Sequence, residues 1–134
     1  MDNPYSGPER RKSERVDAAF TLTYSIEKPL ILRVQVGWED DIDALMLNLS
    51  ELGMAIVTKH DIPSATELYM NFIIIDLRSE GEKRIHHMEI VGLVVSNSVC
   101  PDGSHRLGIR FDKISDEDKQ AIRDFVIGRK LPSS

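Results

Sequence analysis

The sequence predicts a domain dominated by β-structure: a small antiparallel barrel of six or seven strands, closed or nearly closed, with one helix at its C-terminal end. Several short segments alternate apolar and polar residues, as half-buried strands do. Short turn-forming stretches connect these segments, which favours antiparallel neighbours. Apolar residues at helical spacing occur near the C-terminus. Closure of the sheet is expected because it removes exposed strand edges.

The N-terminal segment differs in character from the rest of the chain. It holds two prolines and a glycine, followed by the charged run ERRKSER at 9–15, and it offers little apolar surface to bury. We therefore expect three parts: a flexible arm over 1–15, the barrel with its helix over 16–130, and a tail over 131–134. Order in the arm is expected to come from a partner.

The first three strands are predicted between Val16 and Ser50. On one face the first strand carries four alternating apolar residues: Phe20, Leu22, Tyr24 and Ile26. A second strand is expected near Leu30–Val36. A third, ALMLNLS, is expected to turn three leucines to the core: Leu45, Leu47 and Leu49. Period-two geometry then turns Asn48 and Ser50 together to the outside.

The remaining strands follow with short connections. A fourth is predicted at 53–58 (GMAIVT), a fifth over 67–77, and a long one from 84 to about 99. The stretch PDGS at 101–104 has the proline, aspartate and glycine of a tight turn. It leads into a last strand, HRLGIRF, at 105–111, whose apolar residues alternate.

The C-terminal helix has a clear start signal. Ser115 is a candidate N-cap, and acidic residues cluster in the first turn, with Asp118 three residues after the cap. Four apolar residues follow at helical spacing and predict the face that packs on the sheet: Ala121, Ile122, Phe125 and Val126. Gly128 is expected to end the helix.

Length and composition indicate one globular domain. The chain has 134 residues, 41% hydrophobic and 29% charged, enough to bury a core without disulfides or metal. Cys100 is the only cysteine, so no disulfide framework and no cysteine-based zinc site are expected. The apolar runs are far shorter than the roughly 20 residues of a membrane helix, and the N-terminus lacks a secretory signal. We expect a cytoplasmic protein without membrane insertion.

Two motifs carry the functional prediction. Arg11 and Arg15 form an RxxxR pair before the first strand, and residues 48–53, NLSELG, form an NxSxxG pattern at the end of the third. Each motif alone is weak, but in this order they resemble the two signatures of the PilZ domain family, RxxxR and (D/N)xSxxG. The strand HRLGIRF and the helix after it resemble the end of that family's domain, so the resemblance covers about 9–129.

The resemblance implies a six-stranded antiparallel barrel with a C-terminal helix and a receptor for cyclic di-GMP, a bacterial second messenger. It implies six ligand-binding residues: Arg10, Arg11, Arg15, Asn48, Ser50 and Gly53. The arginines would wrap the ligand from the arm, and the other three would form the barrel side of the site. The ligand would be cyclic di-GMP without a cofactor, as one nucleotide or an intercalated pair, and the effector protein would belong to motility, pilus or exopolysaccharide machinery.

The chemistry of these side chains suits that ligand. A guanidinium is a planar fork that matches a phosphate or the O6 and N7 acceptors of guanine, as lysine cannot. Asn48 and Ser50, if they share a face, can hydrogen-bond one guanine edge, although an asparagine accepts through one oxygen where the family also allows aspartate. Gly53 supplies either a positive φ or room for the ligand beside the backbone.

The sequence favours a non-enzymatic sensor, in which ligand orders the arm against the barrel and changes a partner-binding surface. The alternative is a PilZ-like interaction module that binds no nucleotide. An enzyme is not expected, since the chain contains no P-loop, GxSxG, GGDEF or EAL string. Neither is a metal site, because adjacent His86 and His87 point to opposite faces of a strand. A net charge of -5 opposes nucleic-acid binding.

Overall fold

In the computed structural model, residues 16–35, 42–77 and 83–130 are described, and they form a closed barrel of six antiparallel strands with a C-terminal helix. The strands are β1 (Val16–Lys28), β2 (Ile42–Leu49), β3 (Gly53–Thr58), β4 (Glu67–Leu77), β5 (Lys83–Val99) and β6 (His105–Lys113). The helices are α1 (Leu30–Gln35) and α2 (Asp116–Lys130). The barrel and the terminal helix confirm the predicted fold class.

The strands are ordered β1-β2-β3-β6-β5-β4, and β4 pairs with β1 to close the sheet. Strands β3 and β4 have the bounds predicted from the sequence, and β5 begins one residue earlier than expected. The turn from β5 to β6 is tight, as predicted: the Cys100 amide donates to the Ser104 carbonyl oxygen at 2.8 Å. Gly103 has a φ of 90° in that turn, a conformation that favours glycine.

The predicted inner face of β1 is confirmed. Leu22, Tyr24 and Ile26 are buried in the barrel core. Phe20 is half-buried at the end of the barrel, where its ring lies 5.5 Å from that of Phe125 on α2. The Tyr24 hydroxyl shares a 2.8 Å hydrogen bond with the Thr58 hydroxyl across the interior, which satisfies both buried groups.

The second predicted strand is wrong, because residues 30–35 form helix α1. The amide of Leu32 donates to the Pro29 carbonyl oxygen at 3.1 Å, and Leu32 is buried while Leu30 and Ile31 are exposed. A run this short has no periodicity that separates helix from strand. In the barrel, β1 pairs directly with β2, so the sheet has no position for an additional strand between them.

The prediction of which β2 residues face the core is also wrong over most of the strand. Ile42, Ala44 and Met46 are buried, whereas Leu45 is 42% exposed. The pairing of β2 with β3 shifts register after Met46, and Leu49 then returns to the core as predicted. A β-bulge inserts one residue and reverses the alternation that follows it. The sequence does not reveal that insertion, because leucines occur on both sides of it.

Helix α2 confirms its predicted start and inner face. The amide of Asp118 donates to Ser115 Oγ at 3.0 Å, which is the hydrogen bond of an N-cap. All four predicted apolar residues are buried: Ala121, Ile122, Phe125 and Val126. The helix contacts β1, β4 and β5, so it covers one end of the barrel. The expected stop at Gly128 is wrong, since the helix continues to Lys130; glycine weakens a helix by about 1 kcal/mol without having to end it.

Candidate functional site

The NxSxxG motif forms the turn between β2 and β3, and Ser50 organises it. Ser50 Oγ accepts hydrogen bonds from the amides of Leu52 and Gly53, each at 3.2 Å. The Ser50 amide donates to the Gly53 carbonyl oxygen at 2.9 Å. These bonds satisfy main-chain groups that would otherwise lose water without a partner. The serine therefore holds the shape of the turn.

The structure corrects the expectation that Asn48 and Ser50 share an outer face. Ser50 is fully buried, with 0% of its surface exposed, whereas Asn48 is half-buried in β2. Asn48 lies opposite Ala55 in β3, beyond the register shift in that pair of strands. Because the shift and the turn both fall within the motif, strict alternation does not hold between its asparagine and its serine.

Gly53 is needed for the close approach of two strands. A Cβ atom there would collide with the Ile109 carbonyl oxygen of β6. Gly53 has no positive φ, so the first of its two expected roles is wrong. The space beside its Cα is occupied by the neighbouring strand, opposite Arg110 in the β3–β6 pairing. The glycine therefore brings β6 close to the motif turn.

Glu51, at the middle of the turn, is held by the C-terminal helix. Arg123 Nε donates to Glu51 Oε2 at 3.1 Å, and a terminal guanidinium nitrogen of Arg123 donates to Oε1 at 3.0 Å. These hydrogen bonds lower the pKa of the Glu51 carboxyl below its ordinary value, while partial burial opposes the shift. No local pattern in the sequence predicts this pair, because its members are 72 positions apart.

A groove of about 320 Å³ adjoins the turn on the outer surface of the barrel. Its lining comes from β3, β5, β6 and the turn itself: Leu52, Ala55, Val95, Ser96, Ser98, Arg106, Gly108, Ile109 and Arg110. Arg106 and Arg110 are exposed on the same side of β6, and neither forms an ion pair with a carboxylate among the described residues. The groove can therefore attract an anion.

The floor of this groove is kept low by Gly108. Its amide donates to Ser96 Oγ at 3.1 Å, and a Cβ atom at that position would collide with the same oxygen. Sequence reasoning did not assign Arg106 and Arg110 to the site. The signal that could have found them is the spacing RxGxR within a strand, because period two puts all three residues on one face.

The arm joins the barrel beside the motif turn. Val16, the first residue of β1, lies opposite Leu49, the last residue of β2 and the residue before Ser50. The three predicted ligand-binding arginines of the arm lie outside the described residues: Arg10, Arg11 and Arg15. Their participation in the site remains a prediction, but their point of attachment is next to it.

Neither a metal-binding cluster nor a membrane-spanning helix occurs in the described ranges 16–35, 42–77 and 83–130. There, histidine, cysteine, aspartate and glutamate side chains do not gather in any group of three that could hold a metal ion. Within the same ranges, neither helix combines the length and the apolar character that crossing a bilayer requires.

Comparison with known proteins identifies the architecture. The sequence model of the PilZ domain matches residues 9–128. The inhibitor of motility MotI/DgrA from Bacillus subtilis aligns with 91% of this chain and 52% of its own, at 22% identity and a TM-score of 0.69. YcgR from Escherichia coli, in complex with c-di-GMP, aligns with 90% of this chain and 46% of its own, at 15% identity and a TM-score of 0.57.

A third structure, the PilZ domain of Escherichia coli YcgR with c-di-GMP, aligns with 89% of this chain and 90% of its own, at 13% identity and a TM-score of 0.58. At these identities the likeness is one of fold. The chain spans about half the length of the MotI/DgrA and full YcgR structures. A comparison with curated proteins gave no match.

Proposed function

The chain belongs to the PilZ domain family, and on that premise we propose that it is a non-enzymatic receptor for cyclic di-GMP. Two structures that share its fold are complexes of YcgR with this nucleotide. Both signature motifs are intact in the sequence, RxxxR at Arg11 and Arg15 and NxSxxG at 48–53. In this proposal the nucleotide binds at the motif turn and along the groove beside it.

The observation that carries the proposal is the pairing of Val16 with Leu49. Arg15 immediately precedes Val16, and an extended chain advances about 3.3–3.6 Å per residue, so Arg11 can reach roughly 17 Å from that point. Both arginines are therefore tethered within reach of the turn and of the groove. Had β1 begun at the opposite end of the barrel, the two motifs could not have met on one ligand.

The proposed roles follow from the chemistry of each position. Arg11 and Arg15, with Arg10 beside them, grip phosphate oxygens or the O6 and N7 edge of a guanine. Asn48 offers amide hydrogen bonds to a guanine from the barrel side. Ser50 acts through the turn that it holds, because its buried hydroxyl already accepts two main-chain hydrogen bonds.

The groove supplies the other half of the proposed site. The ligand carries two phosphate charges, and Arg106 and Arg110 add two cations to those of the arm on a chain whose net charge is -5. Gly108, between the two arginines of β6, adds no side chain to the groove on which a flat base would lie, while Gly53 brings β3 and β6 together beneath it. Binding is thus driven by a local basic patch against an acidic average field.

We further propose that the ligand orders residues 1–15 against the barrel. This ordering changes a surface to which an effector protein in the cytoplasm binds. Motility, pilus and exopolysaccharide machinery remain the candidate effectors from the family resemblance. The switch is an order–disorder transition of a segment, with the nucleotide binding the ordered state. Limited proteolysis at Arg10–Arg15 should therefore slow when cyclic di-GMP is added.

Isothermal titration with cyclic di-GMP tests the proposal. Each of Arg11→Ala and Arg15→Ala removes hydrogen bonds to a charged group, which contribute about 1.5–3 kcal/mol, and should weaken binding roughly 10- to 150-fold. Lys12→Ala is the matched control, because it removes one arm charge outside the motif and should bind nearly as the unmodified chain does. The stoichiometry gives one nucleotide or an intercalated pair.

An unmodified chain that produces no heat at micromolar cyclic di-GMP would refute the receptor proposal. The alternative function, a PilZ-like interaction module that binds no nucleotide, would then stand. Equal affinities for all four proteins would keep the receptor but remove the arm from the site. GTP serves as the ligand control, because it presents guanine and phosphates without the cyclic dinucleotide shape.

A further inference from the structure

Helix α2 contacts the motif turn through the side chain of Arg123. Two of its guanidinium nitrogens donate to the two carboxylate oxygens of Glu51, in the paired geometry that best fixes direction. A further nitrogen donates to Gln120 Oε1 at 3.0 Å, and Gln120 in turn donates to Asp124 Oδ1 at 2.9 Å. The guanidinium is therefore held in place on its own helix before it meets the turn.

The turn is restrained from three directions. Inside it, Ser50 Oγ accepts from two amides. From β6, the Phe111 amide donates to the Leu52 carbonyl oxygen at 2.9 Å. From α2, Arg123 holds the Glu51 side chain. The bonds to Ser50 Oγ and from the Phe111 amide fix the main chain of the turn. The bonds from Arg123 fix the side chain at its middle, Glu51, whose neighbour Leu52 lines the groove.

Glu51 also has an electrostatic consequence for an anionic ligand. An unpaired carboxylate at the tip of the turn would repel phosphate groups, since like charges at close range disfavour one another. Arg123 compensates that charge with a fork of fixed direction. Lys119, one helical turn earlier, also attracts the Glu51 carboxylate, but the structure gives it no hydrogen bond to that group.

We propose that Arg123 is a positioning residue for the ligand site: acting through Glu51, it holds the NxSxxG turn in the orientation that receives the ligand. The proposal rests on the proposed function, because its ligand is cyclic di-GMP. It also makes the docking of α2 and the occupancy of the turn mutually dependent, since coupling between two sites is reciprocal.

Two measurements test this role in the full chain. The first is the affinity for cyclic di-GMP of Arg123→Ala, Arg123→Lys and, as matched control, Lys119→Ala. Arg123→Ala should weaken binding about two- to fivefold, as expected for a partly exposed two-bond ion pair. Arg123→Lys should weaken binding almost as much as Arg123→Ala does, because an ammonium group keeps the charge but cannot donate the two parallel hydrogen bonds. Lys119→Ala should change affinity less than twofold.

The second measurement needs no ligand: hydrogen exchange of the Leu52 and Gly53 amides, which donate within the turn. Arg123→Ala should speed their exchange several-fold, while the amides of Ile56 and Val57 in the middle of β3 should exchange as before. Melting temperatures of all variants are recorded beside both measurements, so that a loss of global stability is recognised.

The outcomes separate the two proposals. If Arg123→Ala binds as the unmodified chain does and its turn amides are unchanged, the positioning role is wrong. If Arg123→Ala and Lys119→Ala weaken binding equally, the effect is one of net charge and the positioning role is again wrong. If the unmodified chain binds no cyclic di-GMP, the receptor proposal fails, and the exchange rates alone decide whether Arg123 holds the turn.

Discussion

Gly53→Ala should destabilise the barrel itself, even without ligand. A Cβ atom at this position would meet the Ile109 carbonyl oxygen far inside contact distance, and the next two atoms, at 3.2 and 3.3 Å, also belong to the backbone of β6. A side chain can rotate away from such a collision, but a paired strand cannot. Relief therefore requires β3 and β6 to separate near the motif turn, with loss of main-chain hydrogen bonds there.

The expected magnitude follows from this geometry. Overpacking a well-filled site costs about 1–3 kcal/mol, and a collision with backbone belongs at the upper end, near 3 kcal/mol. For a chain of this length, 1 kcal/mol shifts the melting temperature by roughly 3–5 °C, so Gly53→Ala should melt about 10–15 °C lower. Thermal unfolding followed by circular dichroism, with urea unfolding as a second probe, measures the change.

Gly103→Ala is the matched control for this prediction. Gly103 has a positive φ but no atom within 4 Å of its would-be Cβ, so the substitution strains the turn without a collision. Gly103→Ala should lower the free energy of unfolding by only about 1 kcal/mol. A Gly53→Ala protein that melts within about 2 °C of the unmodified chain, or no lower than Gly103→Ala, would refute the close-packing role of Gly53.

Three further changes are predicted. Gly108→Ala should destabilise the barrel, because the added Cβ atom would collide with Ser96 Oγ. Adding Ser96→Ala should recover most of the lost stability, since the next atoms lie at 3.6 Å or beyond. Urea unfolding of the two single variants and the double variant measures this coupling. Ser115→Ala should lower stability by about 1 kcal/mol, as loss of an N-cap does, with Ser115→Asp close to the unmodified chain. Glu51→Gln should melt below the unmodified chain at neutral pH, and the difference should vanish in acid. Because the Glu51 pKa is lowered in the folded state, its stabilising effect is complete above the ordinary carboxyl pKa and is lost as the pH falls through the lowered value; a difference that persists at pH 2 would contradict the assignment.

Those parts of the site that the sequence predicts are formed by residues close together in the chain. RxxxR and NxSxxG are local patterns, and so are the N-cap at Ser115 and the strand bounds of β3 and β4, which the structure reproduces. The groove could have been found from the same kind of pattern, since Arg106 and Arg110 alternate with Gly108 along β6. Each of these features is set by residues a few positions apart.

What the sequence alone determined was the antiparallel barrel, its closing helix and the identity of the motif residues, because period-two and helical spacing follow from backbone geometry within each segment. Only the tertiary structure decided which way those residues face. The register shift in β2 depends on its pairing with β3. The burial of Ser50 depends on the closed turn, and the hydrogen bonds to Glu51 come from an arginine 72 positions away. These contacts form only when segments far apart in the sequence pack together, so the neighbouring residues in the sequence do not predict them.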